Sequence, residues 1–299
     1  MLTTIIILLI TISCSYADPK LEVEWDHAQH GLDWGGSCSK GKYQSPINLL
    51  TKWDALHEKH HLKLQNYCNL ALKKTVLYNT GYTVSLDLAV SENGNFPRMS
   101  GALLTRTFNA TELHFHWGSK NAKGSEHTID GKRFDLELHI VHRALGVDDI
   151  AVLSVLFNIR ENATTKPVLE PIFDALAEVS KYHKMAEVSE PFGLCQLFTV
   201  LDRTDYFTYE GSLTTPNCRE GVTWIVFRNP VDVALEDASK LWELRDSKGR
   251  SIAKNYRMVM PLNARPVYRF KRGEPAKILA PTQNVADGRA TTYQDSSAL

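Results

Sequence analysis

The sequence has no excess of charge of either sign, because 34 basic and 34 acidic side chains cancel over 299 residues and the pI is about 7.2. That balance offers no broad attraction to nucleic acid or to an anionic membrane surface. No membrane span is read either. Crossing a bilayer takes about 20 consecutive apolar residues, and the N-terminal run from Leu2 to Ile12 is shorter and broken by Thr3, Thr4 and Thr11. Cysteine is scarce, and the spacings of Cys38, Cys68, Cys195 and Cys218 do not fit a zinc ribbon. No internal repeat and no long linker divides the chain, so its length suits one domain.

The run before Ser15-Tyr16-Ala17 has the length and small-residue ending of a signal peptide, residues 1–17, although no Lys or Arg precedes it. A membrane anchor and a lipidated Cys14 are the alternatives. Residues 18–275 then form the domain, and 276–299 form a polar C-terminal tail without a glycolipid-anchor signal. A secreted, extracellular chain with four remaining cysteines permits two disulfides in three connectivities. The sequons at Asn109 and Asn162 fit an exported glycoprotein. Nothing in the sequence sets the oligomeric state.

Short stretches bounded by Gly, Asn, Asp and Pro read as strands: Val84 to Leu88, Leu103 to Phe108, Leu113 to Trp117, Leu136 to Val141, Val152 to Asn158 and Trp224 to Phe227. Helical spacing appears at Leu169, Ile172, Phe173 and Leu176, and again at Leu235, Ala238, Leu241 and Trp242. The fold class is mainly β with peripheral helices (α+β).

The informative residues are histidines. In a strand, alternate side chains share a face. Glu112, His114 and His116 therefore point one way, and Leu113, Phe115 and Trp117 the other. Glu137 and His139 likewise share a face in the second strand. The polar segment Ser119 to Lys132 is long enough to pair the two strands antiparallel, which brings three imidazoles onto one patch. Three neutral imidazoles suit tetrahedral Zn²⁺ and leave a fourth position for water. Glu137 is placed to orient His139, and Glu112 to orient His114. Any one of these histidines alone is better read as a hydrogen-bonded core residue. The denser group His57, His60 and His61 lies on a charged stretch without apolar backing and reads as solvated surface.

At these residues the chain closely resembles the α-carbonic anhydrases. The matching pieces run in order: Gln44-Ser45-Pro46-Ile47-Asn48, the His-Phe-His-Trp-Gly of 114–118, Gly124-Ser125-Glu126-His127-Thr128, Glu137-Leu138-His139, Gly211-Ser212-Leu213-Thr214-Thr215-Pro216 and Asn255-Tyr256-Arg257. They span about Trp25 to about Phe270. The resemblance implies a single domain around a central, twisted, mostly antiparallel sheet of about ten strands. It implies a lyase that reversibly hydrates CO₂ to bicarbonate and a proton by attack of zinc-bound hydroxide, with esterase activity on the side and sensitivity to sulfonamides and anions. Trp34-Gly35-Gly36-Ser37-Cys38 looks like the extracellular branch and implies a Cys38–Cys218 bridge. For Cys68 and Cys195, free thiols and a second bridge both remain open.

The resemblance also assigns roles. Thr214 orients the nucleophile and passes its own proton to Glu126, and its backbone N–H, with Thr215 beside it, meets substrate. Val141, Val152, Leu213, Val222 and Trp224 form the apolar wall that holds CO₂. His127 and Asn255 join Glu112 and Glu137 around the metal ligands. Two positions depart from the pattern. Glu112 stands where the family usually has an amide, which is expected to raise the pKa of the metal's water. Tyr82, in Asn79-Thr80-Gly81-Tyr82, stands where efficient members carry a proton-shuttling His, and a phenol is poorly matched to that task at neutral pH. His27, near the expected cavity rim, is the other candidate for moving protons. Two rivals to the lyase are a carbonic-anhydrase-like domain kept as a binding or matrix protein, and a zinc hydrolase.

Overall fold

Period-two alternation makes the middle of this chain strand-forming, and it positions everything that follows. The computed structural model describes residues 25–52, 61–67, 75–88, 95–166, 169–188 and 194–271. In chain order the strands are β1 (Asn48–Leu49), β2 (Lys63–Gln65), β3 (Val76–Asn79), β4 (Val84–Asp87), β5 (Arg98–Gly101), β6 (Leu104–Trp117), β7 (Thr128–Ile129) and β8 (Lys132–Arg133). They continue with β9 (Leu136–Ala144), β10 (Ile150–Arg160), β11 (Met185–Glu187), β12 (Asp205–Ser212), β13 (Glu220–Phe227), β14 (Val231–Ala234) and β15 (Val267–Lys271).

One mixed sheet holds 12 strands along the path β11-β3-β4-β6-β9-β10-β13-β12-β15, with β2, β5 and β14 joined at its side. This is the expected central sheet, of about the expected size. Pairing within it is antiparallel except where β10 meets β13 and β14. Strands β1, β7 and β8 make a second, small sheet. The two stretches read separately at Leu103 to Phe108 and Leu113 to Trp117 belong, apart from Leu103 in the preceding turn, to the single strand β6, which carries an irregularity against β9 between Ala110 and Glu112.

The sheet has an apolar layer on each face. Leu113, Phe115, Trp117, Leu138, Ile140, Leu153 and Val155 join one cluster with Ile172, Phe173 and Leu241 from the peripheral helical segments. The opposite face gathers Ile47, Val141, Val152, Leu156, Phe207, Val222 and Trp224. Because β9 and β10 are covered on both sides, nearly all their residues are buried; β10 reads as a nearly continuous apolar run, whereas β9 keeps Glu137 and His139 on alternate positions.

Cys38 and Cys218 are bonded across a sequence separation of 180 residues. Both are buried and pack with Trp34. The leader 1–17, the tail 276–299 and Cys68 lie outside the described residues, as does the side chain of Cys195. Of the two sequons, Asn162 is exposed in the turn after β10, whereas Asn109 is 9% exposed inside β6. A glycan fits the first position and not the second.

A crosslink closing so long a loop restricts the unfolded chain. Replacing Cys38 and Cys218 together by Ser is expected to lower the unfolding free energy by about 2–5 kcal/mol. Urea unfolding of both proteins measures it, and equal midpoints would contradict the expectation.

Candidate metal centre

Antiparallel pairing of β6 with β9 sets His114 opposite His139 and His116 opposite Glu137. Strand β4 adds Ser85 beside His114, and β10 adds Ser154 beside His139. The three ring centroids lie 5.1, 5.2 and 4.6 Å apart. One ring nitrogen from each imidazole falls within 4.8 Å of the other two.

Each imidazole has its other nitrogen engaged. His114 Nδ1 is 3.1 Å from Glu112 Oε1, His116 Nδ1 is 2.7 Å from the Asn255 carbonyl, and His139 Nε2 is 2.8 Å from Glu137 Oε1. This leaves His114 Nε2, His116 Nε2 and His139 Nδ1 for a ligand. His116 Nε2 is buried without a hydrogen-bond partner, a costly arrangement for a polar atom unless something binds it. Burial pushes His139 down to about 4, against the opposing pull of Glu137, and pushes His116 well below its ordinary value. Neutral imidazoles are what a zinc site needs. The donor set therefore fits Zn²⁺.

Behind the histidines, Glu137 collects five donors. Its Oε2 accepts the backbone N–H groups of Glu126 and His127, both at 2.7 Å. Its Oε1 accepts from His127 Nδ1 at 2.6 Å, His139 Nε2 at 2.8 Å and Ser154 Oγ at 2.6 Å. Burial opposes its ionisation, but the charge and hydrogen bond of His127 and the bond from His139 outweigh burial and hold this carboxyl well below the usual range. His127 Nε2 meets the Tyr209 hydroxyl at 2.7 Å, which meets Ser45 Oγ at 2.9 Å.

Glu126 is different. It is fully buried, and burial and the neighbouring Glu137 push it up to about 8. The Arg257 N–H, 2.7 Å from Oε1, and the Thr214 hydroxyl pull the other way. The second oxygen, Oε2, has no hydrogen bond of full geometry. The Arg257 guanidinium runs on to the carbonyls of Cys38 and Ser45 and to Gln44 Oε1.

The Thr214 loop is pinned at its base. Ser45 and Ser212 exchange backbone-to-hydroxyl bonds of 2.9 and 3.0 Å, and Trp224 Nε1 donates to the Ser212 carbonyl at 3.0 Å. Leu213 N–H bonds the Arg219 carbonyl, and Cys218 N–H bonds that of Thr215. Val141, Val152, Val222 and Trp224 lie in the cluster on this face of the sheet, with Leu213 packed against it.

Asn255 closes the end of β6. Its side chain accepts from Trp117 N–H and donates to the carbonyls of Tyr82 and Phe115. Tyr82 lies flat on Trp25, with centroids 4.1 Å apart and planes 8° apart. His27 sits beside Trp25 and Trp34, and burial pushes it down to about 3. Residues 57–61 spell His-Glu-x-x-His, the two-histidine motif of metallopeptidase helices. Of these, His57 to His60 lie outside the described residues, and His61 is exposed against Phe270. Sequence reasoning missed Ser154 and the roles of Tyr209 and Arg257. Ser154 carried a signal, since it alone is polar between Ile150 and Phe157.

The eukaryotic-type carbonic anhydrase model matches residues 25–271. Carbonic anhydrase 4 of Mus musculus is 32% identical over 260 residues, covering 83% of this chain and 80% of its own. Carbonic anhydrase 12 of Homo sapiens is 35% identical over 254 residues, covering 78% and 67%. The human mitochondrial carbonic anhydrase 5A is 34% identical over 251 residues, covering 78% of each.

The buried groups set a pH dependence for the metal-free protein. Glu126 titrates near 8 when folded against about 4.5 otherwise. Its stabilisation is complete below about pH 4.5 and is lost as pH rises through 8. His27, His139 and His142 titrate near 3, 4 and 3 against an ordinary 6.5, so their contribution is present above 6.5 and lost on acidification. From about pH 7.5 to 8.5, where unfolded histidines have given up nearly all their protons and only Glu126 still titrates, stability should therefore fall with pH, by less than about 1.4 kcal/mol per unit. Urea unfolding across that window should show the decline in the wild type and its loss in Glu126→Gln. A flat or rising wild-type profile would contradict it.

Proposed function

The chain belongs to the eukaryotic-type carbonic anhydrases, enzymes that interconvert CO₂ and bicarbonate, and we propose that it does so with Zn²⁺ held by His114, His116 and His139. The observation that carries this reading is the unpartnered, buried Nε2 of His116, which faces free nitrogens on two neighbouring imidazoles. Zn²⁺ at that point supplies a Lewis acid that lowers the pKa of its water to about 7, a value general to carbonic anhydrases, and its charge favours the carboxylate form of Glu126.

The protein's own groups do the rest. Glu137 and Glu112 orient His139 and His114, and the Asn255 carbonyl orients His116. Ionised Glu126 accepts a hydrogen bond from the Thr214 hydroxyl, which leaves the Thr214 oxygen to accept a hydrogen bond from the attacking nucleophile and turns the nucleophile's lone pair toward carbon. The Thr214 N–H, with Thr215 beside it, receives a substrate oxygen. Val141, Val152, Leu213, Val222 and Trp224 exclude water from the place where CO₂ rests. CO₂ and water give bicarbonate and one proton per cycle, and the same nucleophile attacks activated esters. Sulfonamides and small anions are the expected inhibitors. The bridge, the exposed sequon at Asn162 and the apolar leader together support an exported enzyme, in a family that also includes a mitochondrial member.

Stopped-flow CO₂ hydration with and without a zinc chelator tests the reading. Metal removal, or His139→Ala, should abolish most activity, and one zinc per chain should restore it in the wild type alone. Full activity in zinc-free protein would overturn the mechanism.

Proton export is the step this chain handles poorly. Tyr82 is stacked on Trp25, and a phenol ordinarily titrates near 10, roughly three units above neutrality. His27 is pushed too low to accept a proton at pH 7. Turnover should therefore depend on external buffer. Tyr82→His should raise kcat at low buffer and change kcat/KM little, because CO₂ attack precedes proton export. Equal, buffer-independent kcat values in both proteins would contradict this.

A further inference from the structure

We propose that Ser154 is a positioning residue that moderates how strongly His139 donates to the metal, by competing with it for one oxygen of Glu137. Its functional consequence rests on the zinc reading above; its hydrogen-bond content does not. Ser154 is 0% exposed in a strand segment that is otherwise apolar from Ile150 to Phe157. A hydroxyl there is costly unless it is bonded. It sits opposite His139 in the β9–β10 register and donates to Glu137 Oε1 at 2.6 Å.

That oxygen already accepts from His127 Nδ1 and His139 Nε2. A carboxylate oxygen has about two lone-pair sites, so a third donor shares density with the other two. Placement does not require Ser154, because two backbone N–H groups fix Oε2 and His127 fixes Oε1. What the hydroxyl changes is the negative charge left for the His139 N–H. A stronger bond there makes the opposite nitrogen, Nδ1, a better ligand. Ser154 therefore weakens the donation of His139, and a purely structural serine would have the reverse effect on loss.

The test uses the full chain as wild type, Ser154→Ala and Ser154→Thr. In the metal-free proteins, the His139 Nε2–H proton resonance should move downfield in Ser154→Ala and return toward wild type in Ser154→Thr, where the hydroxyl is restored. In the zinc-loaded proteins, metal release to a chelator should slow by about threefold in Ser154→Ala, small beside the roughly 10–100-fold effect of losing an outer partner outright. An unmoved or upfield resonance, or zinc release that is unchanged or faster, overturns the proposal. If the wild type takes up no zinc, the zinc reading fails, and the resonance alone decides the role of Ser154.

Discussion

An ionised carboxylate inside a protein is costly unless donors surround it. Glu137 sits fully buried in the middle of a 12-stranded sheet, and five donors converge on it. Two are backbone groups of the segment that carries Glu126, two are imidazoles, and one is a hydroxyl from the next strand. Satisfying this one group fixes the orientation of His139, the course of residues 126–127 and the ring of His127. The His127 ring then reaches Tyr209 and Ser45, and through Ser45 the base of the Thr214 loop. His139 of the candidate metal centre and the Thr214 loop are thereby tied to a single buried anion.

A second buried carboxyl gives the site its asymmetry. Glu126 lies close enough to Glu137 to feel its charge, and it lacks Glu137's ring of donors. Two carboxyls in one dry region cannot both ionise cheaply, so their environments drive them apart. Glu137 is a fixed anion that orients an imidazole. Glu126 is a carboxyl whose ionisation the local charge decides. Arg257 connects this arrangement to the disulfide, since its N–H meets Glu126 and its guanidinium holds the Cys38 carbonyl.

The three-histidine patch was legible because the two stretches that carry it alternate with period two. His114, His116 and His139 could face one patch only if both strands alternated cleanly, and they do. Val141, Val152, Val222 and Trp224 pass for core in the sequence and cluster as core in the fold, and a wall for CO₂ is assigned to them by the resemblance alone. Glu126, in Gly-Ser-Glu-His, reads as surface charge, and only tertiary packing buries it. Arg257 is similar, because a lone arginine gives no sign that its partners are carbonyls from residues 38 and 45. Strand β6 was read as two pieces because polar Asn109-Ala110-Thr111 interrupts the pattern. The irregularity between Ala110 and Glu112 lets the strand pass through that interruption and resume with Glu112, His114 and His116 on one face.

Three particular nitrogens forming the metal centre is the claim on which the chemistry turns. A crystal structure of the zinc-loaded protein, with anomalous data at the zinc edge, tests it most directly. The expected result is a single strong peak bounded by His114 Nε2, His116 Nε2 and His139 Nδ1, with one further ligand from outside the protein. A peak bound instead by His139 Nε2, by the Glu126 or Glu137 carboxylate, or by the residues around His57 would contradict it.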